Sequence, residues 1–302
     1  MTSFASPLRG NAVAAALVLG AASHASWFDL PSGGASFKLL KLDAHPAALA
    51  LSGAGTGLGS TDPIRNAAID SVSTATLSAG YGRTYSRLEG SLQQVAWVFP
   101  SDSWSWNATA RFQGFENIPG RDEDDRSTGT YAASAWALDA GLSAPLPLEG
   151  LRVGASLGAG MDMVAEANAF AGWLNLGATY RPRDARWSAG AALRNLGMGT
   201  THAEDLPAIF QIGGAWRQPL GDWTLVPMVD AKWVADEDIQ FPVALEARWS
   251  ILAMRAGYVL GREEFLPSVG LGLDWENWIL DAGTGWHDAL GFAPALRLGI
   301  RI

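Results

Sequence analysis

The sequence predicts an all-β fold, a transmembrane antiparallel β-barrel of about fourteen strands. Three observations carry this prediction. Apolar and polar residues alternate with period two in segment after segment. Although 48% of residues are hydrophobic, no stretch after residue 25 approaches the ~20 apolar residues of a spanning helix. The connections between segments alternate between short and longer. The 35 glycines would weaken helices, whereas the 14 tryptophans suit pleated surfaces and membrane interfaces.

The alternation is clearest in two stretches. In "LRVGASLGAGMDM", residues 151–163, leucine, valine, alanine and methionine form one face, and Arg152, glycine, Ser156 and Asp162 form the other. In "ALRLGIRI", residues 295–302, Leu296 and Leu298 alternate with Arg297. A strand that is apolar on one face and charged on the other suits a wall between lipid and a polar lumen. The final segment is predicted to close the barrel by pairing with the first.

Similar patterns predict fourteen strands of roughly 9 to 13 residues, the length that crosses a bilayer at a tilt. Their predicted ranges are 72–82, 88–99, 103–115, 130–145, 151–163, 171–181, 186–195, 208–218, 222–233, 241–250, 252–261, 265–275, 277–286 and 293–302.

The connections sort into two classes. Those after even-numbered strands are short, such as 100–102, 181–185 and 219–222. Those after odd-numbered strands are longer, as at 116–129, 164–170, 196–207, 234–240 and 287–292. Short periplasmic turns opposite longer surface loops are typical of bacterial outer-membrane barrels. The predicted location is therefore the outer membrane of a Gram-negative bacterium.

The N-terminus resembles an export signal. Arg9 precedes the apolar run "NAVAAALVLGAA", and Ser23 and Ala25 occupy small-residue cleavage positions. Residues 1–25 are predicted to be a signal peptide, with a buried N-terminal helix as the alternative. Removing Arg9 leaves 20 basic and 30 acidic residues, a net charge of 20 − 30 = −10, which argues against nucleic-acid binding. The chain has no cysteine and therefore no disulfide.

Residues 26–70 lack a convincing strand pattern and are rich in Gly, Ala and short apolar steps. A segment that precedes a barrel this wide is predicted to lie in the lumen as a plug. The predicted domains are thus a signal peptide (1–25), a plug segment (26–70) and the barrel (71–302).

No motif predicts an enzyme, a cofactor or a metal site. "GASLG" at 154–158 matches a nucleophile pattern, but that motif needs a sharp strand-to-helix turn, and Ser156 lies in the middle of a predicted strand. His45, His202 and His287 form no close pair in sequence. "GAGTGLG" at 53–59 lacks the spacing of a dinucleotide-binding loop.

The most acidic stretch is "RDEDDR" at 121–126, in the longest predicted loop. Its carboxylates could bind a divalent cation or could simply be solvated, and solvation is the more common case. The loop is also a candidate surface for docking partners. Its acidic residues are Asp122, Glu123, Asp124 and Asp125.

The alternation places fourteen charged residues on the lumen face. A mixed-sign network that fills and stiffens the lumen is the favoured interpretation, because unpaired buried charge is costly. A selective permeation path is the alternative, which single-sign rings would favour. The predicted lumen-facing charges are Arg111, Asp139, Arg152, Asp162, Arg194, Asp230, Lys232, Glu246, Arg248, Arg255, Asp274, Asp281, Arg297 and Arg301.

Several stretches resemble the PorV/PorQ family of type IX secretion outer-membrane proteins, whose barrel is similar to that of the fatty-acid transporters. They are "FKLLKLDAHPAALALSGAGTG", "GTYAASAWALDAGLSAPL", "GLRVGASLGAGM", "WSAGAALRNLGMG" and "EDLPAIFQIGGAW". The sequence departs from the family where Asn66 is followed by Ala67 and Ala68, because the usual proline is missing. The short loops fit the compact PorQ-like branch better.

The resemblance implies a non-enzymatic accessory barrel of type IX protein secretion and cell-surface attachment. Its partners would be outer-membrane lipid and either other type IX proteins or exported cargo, with no nucleic acid. The alternative is a fatty-acid-transporter-like channel for small hydrophobic molecules. A channel needs a continuous apolar path through the plug and the wall, whereas the predicted lumen face is Gly-rich and charged.

Overall fold

The computed structural model describes residues 37–42, 44–59, 62–70, 73–84, 90–101, 103–121, 124, 126–164, 167–199, 206–235, 237–260, 267–288 and 290–302. The predicted signal peptide and the first part of the predicted plug lie outside the described residues. The predicted domain boundaries therefore stay predictions.

Within the described residues, fifteen strand segments form one antiparallel sheet. β8 and β9 both pair with β10 and are separated only by Arg217, so they form one wall strand and the wall has 15 − 1 = 14 strands. The segments are β1 (Thr76–Arg83), β2 (Gly90–Ser101), β3 (Trp104–Arg121), β4 (Ser127–Pro145), β5 (Leu151–Val164), β6 (Ala167–Tyr180), β7 (Trp187–Gly199), β8 (Ile209–Trp216), β9 (Gln218–Leu220), β10 (Trp223–Val234), β11 (Phe241–Trp249), β12 (Leu252–Leu260), β13 (Pro267–Trp275), β14 (Trp278–His287) and β15 (Gly291–Arg301).

The sheet closes on itself. β1 pairs with β15, with Thr76 opposite Arg301 and Leu77 opposite Ile300, and β10 pairs with β11. Each wall strand therefore has a partner on both sides, which satisfies the backbone groups inside a bilayer. The predicted all-β barrel is confirmed, as is the closing role of the final segment.

The outer face of the wall is apolar. Leu157, Leu271 and Leu298 point outward and are 70%, 55% and 50% exposed. Aromatic side chains form a band at each end, as in outer-membrane barrels. The chain is a multi-pass outer-membrane β-barrel. The band at the short-turn end contains Trp104, Trp187, Trp216, Trp249, Trp275 and Trp278, and the band at the loop end contains Tyr81, Phe112, Trp136, Phe170, Phe210, Phe241 and Phe292.

Helical structure in the described residues before β1 consists of a short 3-10 helix, η1 (Lys38–Lys41), and one α-helical turn, α1 (Pro46–Ala50). Among the described helices, none is long and apolar enough to cross a bilayer.

Two of the predicted loops are largely strand. Residues 116–129 were predicted as the longest loop, but β3 continues to Arg121 and Gly120 pairs with Gly129. Residues 164–170 were predicted as another loop, but β6 already begins at Ala167. In the described part of the chain, β3 pairs with β2 only as far as Phe115, so Pro119 interrupts no described hydrogen bond on that side and the strand continues. The sorting of connections by length is therefore weaker than the sequence suggests.

A charge placed on the lipid face is expected to destabilise the barrel. Leu271→Arg, which puts a guanidinium on the exposed face of β13, should lower the free energy of unfolding by ~2 to 4 kcal/mol if the position is near the midplane. Leu271→Val should cost far less. Denaturant titrations of both variants in lipid vesicles measure this difference, and equal losses would contradict the assignment of this face to lipid.

Candidate functional site

The lumen is occupied by the chain's own N-terminal segment. The described part of residues 37–70, called the plug from here on, is buried against the inner face of the wall. Leu39, Leu51 and Ile69 are at most 2% exposed. The plug and the inner wall together form the candidate functional site.

Glycines of the inner wall lie where the plug backbone touches the wall. A Cβ atom at Gly154 would collide with the carbonyl of Ala67, and one at Gly190 with the carbonyl of Thr56. These positions therefore need glycine for close approach of two backbones. We call the set the docking glycines. They are Gly154, Gly177, Gly190, Gly257, Gly270 and Gly283.

Asp230 on β10 anchors the middle of the plug. Its buried carboxylate accepts hydrogen bonds from the backbone N–H groups of Gly55 and Thr56, at 3.1 and 2.9 Å, and from the Gln211 amide at 2.7 Å. Hydrogen bonds to an ionised carboxylate are stronger than neutral ones. The carboxylate thus satisfies two backbone N–H groups of the plug that have no partner in a helix or strand.

Asn66, where the sequence departs from the PorV/PorQ pattern, ties the plug to two wall strands. Its side-chain amide donates to the carbonyls of Thr56 and Ala178, both at 3.2 Å, and Ala191, at 3.4 Å. Its side-chain oxygen accepts from the backbone N–H of Ala68 at 2.9 Å. The Asn66 side chain therefore stabilises this turn of the plug, which lacks the proline of the PorV/PorQ pattern.

Wall side chains also hold the end of the plug near β1. The carbonyl of Ile69 accepts hydrogen bonds from the Arg152 guanidinium at 3.0 Å and from the Ser143 hydroxyl at 2.9 Å. The Arg217 guanidinium donates to the carbonyl of Leu58 at 2.8 Å. Cationic wall residues therefore serve as donors to plug carbonyls as well as partners of carboxylates.

Five charged residues form a chain of alternating sign across β11, β12, β14 and β15. Glu246 pairs with Arg248 at 2.6 Å and with Arg255 at 2.7 Å. Asp281 pairs with Arg255 and with Arg297, both at 2.7 Å. We call this set the charge ladder. Its alternation fits the predicted mixed-sign network rather than a ring of one sign.

The charge ladder crosses β13 because that strand carries Gly272 on its inner face. A Cβ atom there would lie 2.7 Å from the Arg255 guanidinium and 2.8 Å from the Asp281 carboxylate. Any side chain at this position would therefore separate the two ions.

A second buried network centres on Asp139. Its carboxylate accepts hydrogen bonds from the Trp173 indole at 2.7 Å, the Asn175 amide at 3.1 Å and Arg111 at 3.2 Å. Asn175 also donates to the Ser156 hydroxyl at 3.0 Å. Ser156 is thus buried within a strand and hydrogen-bonded to the network.

The lumen also holds an apolar chamber in its loop-side half. The plug contributes Phe37, Leu39, Leu40 and Ala44. The wall contributes Leu92, Ala135, Ala137, Ala171 and Trp173, and the segment between β7 and β8 contributes Leu206. The alternation pattern does not reveal this chamber, because its apolar residues come from both the plug and the wall.

A cavity of about 530 Å³ lies at the turn end of the lumen, beneath α1. Its lining includes the charge ladder together with His45 and Arg65. His45 caps α1, because its Nδ1 accepts a hydrogen bond from the backbone N–H of Ala47 at 3.2 Å. Burial lowers the pKa of His45 well below its ordinary value, and the nearby charges of Arg297, Arg65 and Arg255 add to this effect. The imidazole is therefore neutral.

Acid should consequently loosen the plug. A His whose pKa is lowered by folding binds its proton more readily when released, so plug docking weakens as pH falls below about 6.5. His45→Asn keeps a capping acceptor without a titrating group. We expect protease digestion of the plug to increase between pH 7.5 and pH 5 in the wild type and to change little in this variant. His287→Asn, at the end of β14, should keep the acid response. An acid response that persists in His45→Asn would exclude His45 as its source.

The predicted lumen charges lie at three depths. Buried are Arg111, Asp139, Arg194, Asp230, Glu246, Asp281 and Arg297. Partly buried are Arg152, Asp162, Lys232, Arg255 and Arg301. Exposed are Arg248 and Asp274. Both exposed residues belong to the turn end, where Asp274 pairs with Arg301 at 2.5 Å.

The acidic candidate loop is described only at Asp124, which is exposed and pairs with Arg126 at 3.1 Å. Asp122, Glu123 and Asp125 lie outside the described residues. In the described part of the chain, no group of three or more His, Asp or Glu side chains could hold a metal ion.

Sequence reasoning missed the polar residues that hold the plug. Asp62, Arg65 and Asp70 belong to the plug itself, and Arg181 and Arg217 flank wall strands. Arg65 is buried and donates to the carbonyls of Gly53 and Ala54. No strand periodicity extends into the plug, so the sequence offered no signal for its three residues. Arg181 and Arg217 do continue the inner-face alternation of the predicted strands 171–181 and 208–218, which could have identified them.

No protein-family model and no curated protein sequence matches this chain. Solved structures do match. The toluene transporter TodX of P. putida aligns with a TM-score of 0.60 and 11% identity over 86% of this chain and 99% of that chain. The CymD monoaromatic hydrocarbon channel aligns with a TM-score of 0.58 and 11% identity over 88% and 99%.

A FadL homologue of Pseudomonas aeruginosa aligns with a TM-score of 0.55 and 12% identity, over 85% of this chain and 97% of that chain. The chain has the FadL-like barrel fold. An alignment with CdiB from Acinetobacter baumannii, with a TM-score of 0.46, spans 60% of that chain. At such low identities the likeness concerns the fold alone.

Proposed function

We propose that this protein is an outer-membrane channel for small hydrophobic molecules, closed by its plug. The observation that carries the proposal is the apolar chamber, which the plug and the inner wall build together in the loop-side half of the lumen. Phe37, Leu39 and Leu40 are nearly fully buried there, at 2 to 3% exposure, within the short helix η1 and at its N-cap. Displacing these three side chains would leave a space that apolar ligands could fill.

The structural neighbours support the same class of ligand. TodX is a toluene transporter and CymD is a monoaromatic hydrocarbon channel. Such aromatic hydrocarbons are similar in size and polarity to the side chain of Phe37 in the chamber. The protein would act by binding and passing its ligand, with no enzymatic step and no cofactor.

Uptake by whole cells tests this function. Cells that express the protein should take up toluene faster than cells without it, because an intact outer membrane slows hydrophobic solutes. Uptake of a hydrophilic solute of similar size should not change. No acceleration of toluene uptake, with the folded barrel present in the outer membrane, would overturn the proposal.

A pair of variants on β2 localises the path. Leu92→Asn places an amide in the apolar chamber and should lower toluene uptake several-fold, since a buried amide without a partner is costly. Val98→Asn makes the same change on the same face of β2, outside the chamber. It should leave uptake unchanged. Equal effects would move the path away from the chamber.

A type IX secretion accessory is the second candidate. The feature that favours it is the hairpin of β3 and β4, which continues beyond Gly90, the first described residue of β2, and presents Asp124 to solvent. This hairpin would be the surface that binds other type IX proteins or exported cargo. Deleting residues 122–125 should then reduce recovery of such partners from outer membranes, while toluene uptake should not change. Unchanged recovery would remove this hairpin as the docking surface.

A further inference from the structure

The outer wall carries a cavity of about 550 Å³ at the loop end, across β1 to β4. Arg83, Ser91, Gly114 and Ser134 lie directly opposite one another on neighbouring strands and form its floor. Strand alternation points these four residues away from the lumen. We call this cavity the outer groove.

The groove exists because small residues stand above a row of large ones. The next row toward the turn end contains Tyr81, Gln93, Phe112 and Trp136, again in cross-strand register. The Phe112 and Trp136 rings are in contact, with centroids 4.4 Å apart. A Cβ atom at Gly114 would point into the groove, 3.0 Å from the Phe112 ring and 3.6 Å from the Ser91 hydroxyl.

The position of the groove in the membrane follows from this aromatic row. Tyr81, Phe112 and Trp136 belong to the aromatic band of the loop end, and such bands lie where headgroups meet acyl chains. The groove is one row further from the bilayer centre, at headgroup level. Loops of outer-membrane barrels face the cell surface, so the adjacent leaflet is the outer one.

The groove is polar where the wall below it is apolar. Arg83 is exposed, and within the described part of the chain no carboxylate pairs with it. Glu116 also lines the groove, on β3. Because β2 lies between β1 and β3, the backbones that carry Arg83 and Glu116 are two strand spacings apart, about 10 Å. An anionic group is therefore attracted to the β1 side and repelled from the β3 side.

We propose that the outer groove binds one phosphate-bearing lipid of the outer leaflet. The phosphate accepts hydrogen bonds from the Arg83 guanidinium and the Ser91 hydroxyl, and the acyl chains lie over Tyr81 and Phe112. Guanidinium groups suit phosphate because they present a fork of donors. This lipid site is independent of what the lumen passes.

Binding of purified lipids to the full-length protein in detergent tests the site. Diphosphoryl lipid A should bind as one tightly retained molecule in native mass spectrometry, and dephosphorylated lipid A should bind at least about 10-fold more weakly, the ratio that corresponds to 1.4 kcal/mol. Equal binding of the two forms would overturn the proposal. Equal retention of phosphatidylglycerol would reject an outer-leaflet lipid as the specific occupant.

Three variants connect binding to the groove. Arg83→Gln should weaken binding of diphosphoryl lipid A about 10-fold. Gly114→Leu should abolish retention by filling the cavity. Arg183→Gln removes a cation from an exposed turn at the opposite end and should have no effect. Heat-dependent gel mobility verifies that each barrel is folded. If folded Arg83→Gln and Gly114→Leu variants both bind like the wild type, the groove is not the site.

Discussion

Replacing Asp281 with alanine should lower the free energy of unfolding by about 3 to 5 kcal/mol, the usual cost of removing one partner from a buried ion pair. Asp281 is 2% exposed and lies between Arg255 and Arg297, each 2.7 Å away. Its removal leaves two guanidinium groups facing each other with one fewer carboxylate in the charge ladder. Arg297 is buried and Arg255 is partly buried, so hydration replaces the lost ion pairs only in part.

Asp274 provides the matched control on the same inner face. It pairs with Arg301 at 2.5 Å, but its side chain is 56% exposed. Exposed ion pairs contribute at most about 1 kcal/mol, because water screens them and both side chains lose rotamer freedom. Asp274→Ala should therefore be nearly silent in the same denaturant titration. Comparable losses for both variants would mean that ion-pair geometry, and not burial, determines stability in this lumen.

The wall could be predicted from sequence because its signal is local. Each strand reports its own two faces through alternation, as in β15, where Leu296 and Leu298 are exposed while Arg297 is buried. The closing role of the last strand could be predicted for the same reason, because that strand also has one apolar face and one polar face. All fourteen wall strands therefore overlap predicted segments.

Irregular positions limited the prediction of boundaries. Asn117, with φ of 56°, belongs to a bulge in β3, beyond which the strand pairs again with Ile118 opposite Tyr131. The sequence "ENIPGR" contains Pro and Gly and therefore suggests a loop. Only the pairing with β4 makes it a strand.

The lumen could not be predicted in the same way because its contacts join distant parts of the chain. Gly272 is informative only beside Arg255 and Asp281, and Gly154 only beside Ala67. In the sequence these glycines suggested a lumen face without an apolar path. In the structure they mark where the plug lies, and the apolar chamber is built partly from the plug itself.

Replacing one docking glycine with a larger residue should open the lumen without unfolding the barrel. A Cβ atom at Gly177 would collide with the side-chain oxygen of Asn66 and lie 2.8 Å from the backbone nitrogen of Ala67. Gly177→Leu should therefore push this part of the plug away from β6 and break the hydrogen bond from Asn66 to the carbonyl of Ala178. The wall has its own hydrogen-bond ladder and should remain closed.

The expected size of the effect follows from overpacking, which costs up to about 3 kcal/mol. That strain shifts the equilibrium between docked and undocked plug by roughly 100-fold.

In planar bilayers, Gly177→Leu should show frequent ion-conducting openings that are rare in the wild type. Gly172→Leu is the control on the same strand, because Gly172 faces outward and its nearest neighbouring atom is 3.8 Å away. It should conduct like the wild type. A folded Gly177→Leu barrel that stays closed would show that the plug yields locally without leaving the lumen, and openings in both variants would assign them to damage of β6 instead of release of the plug.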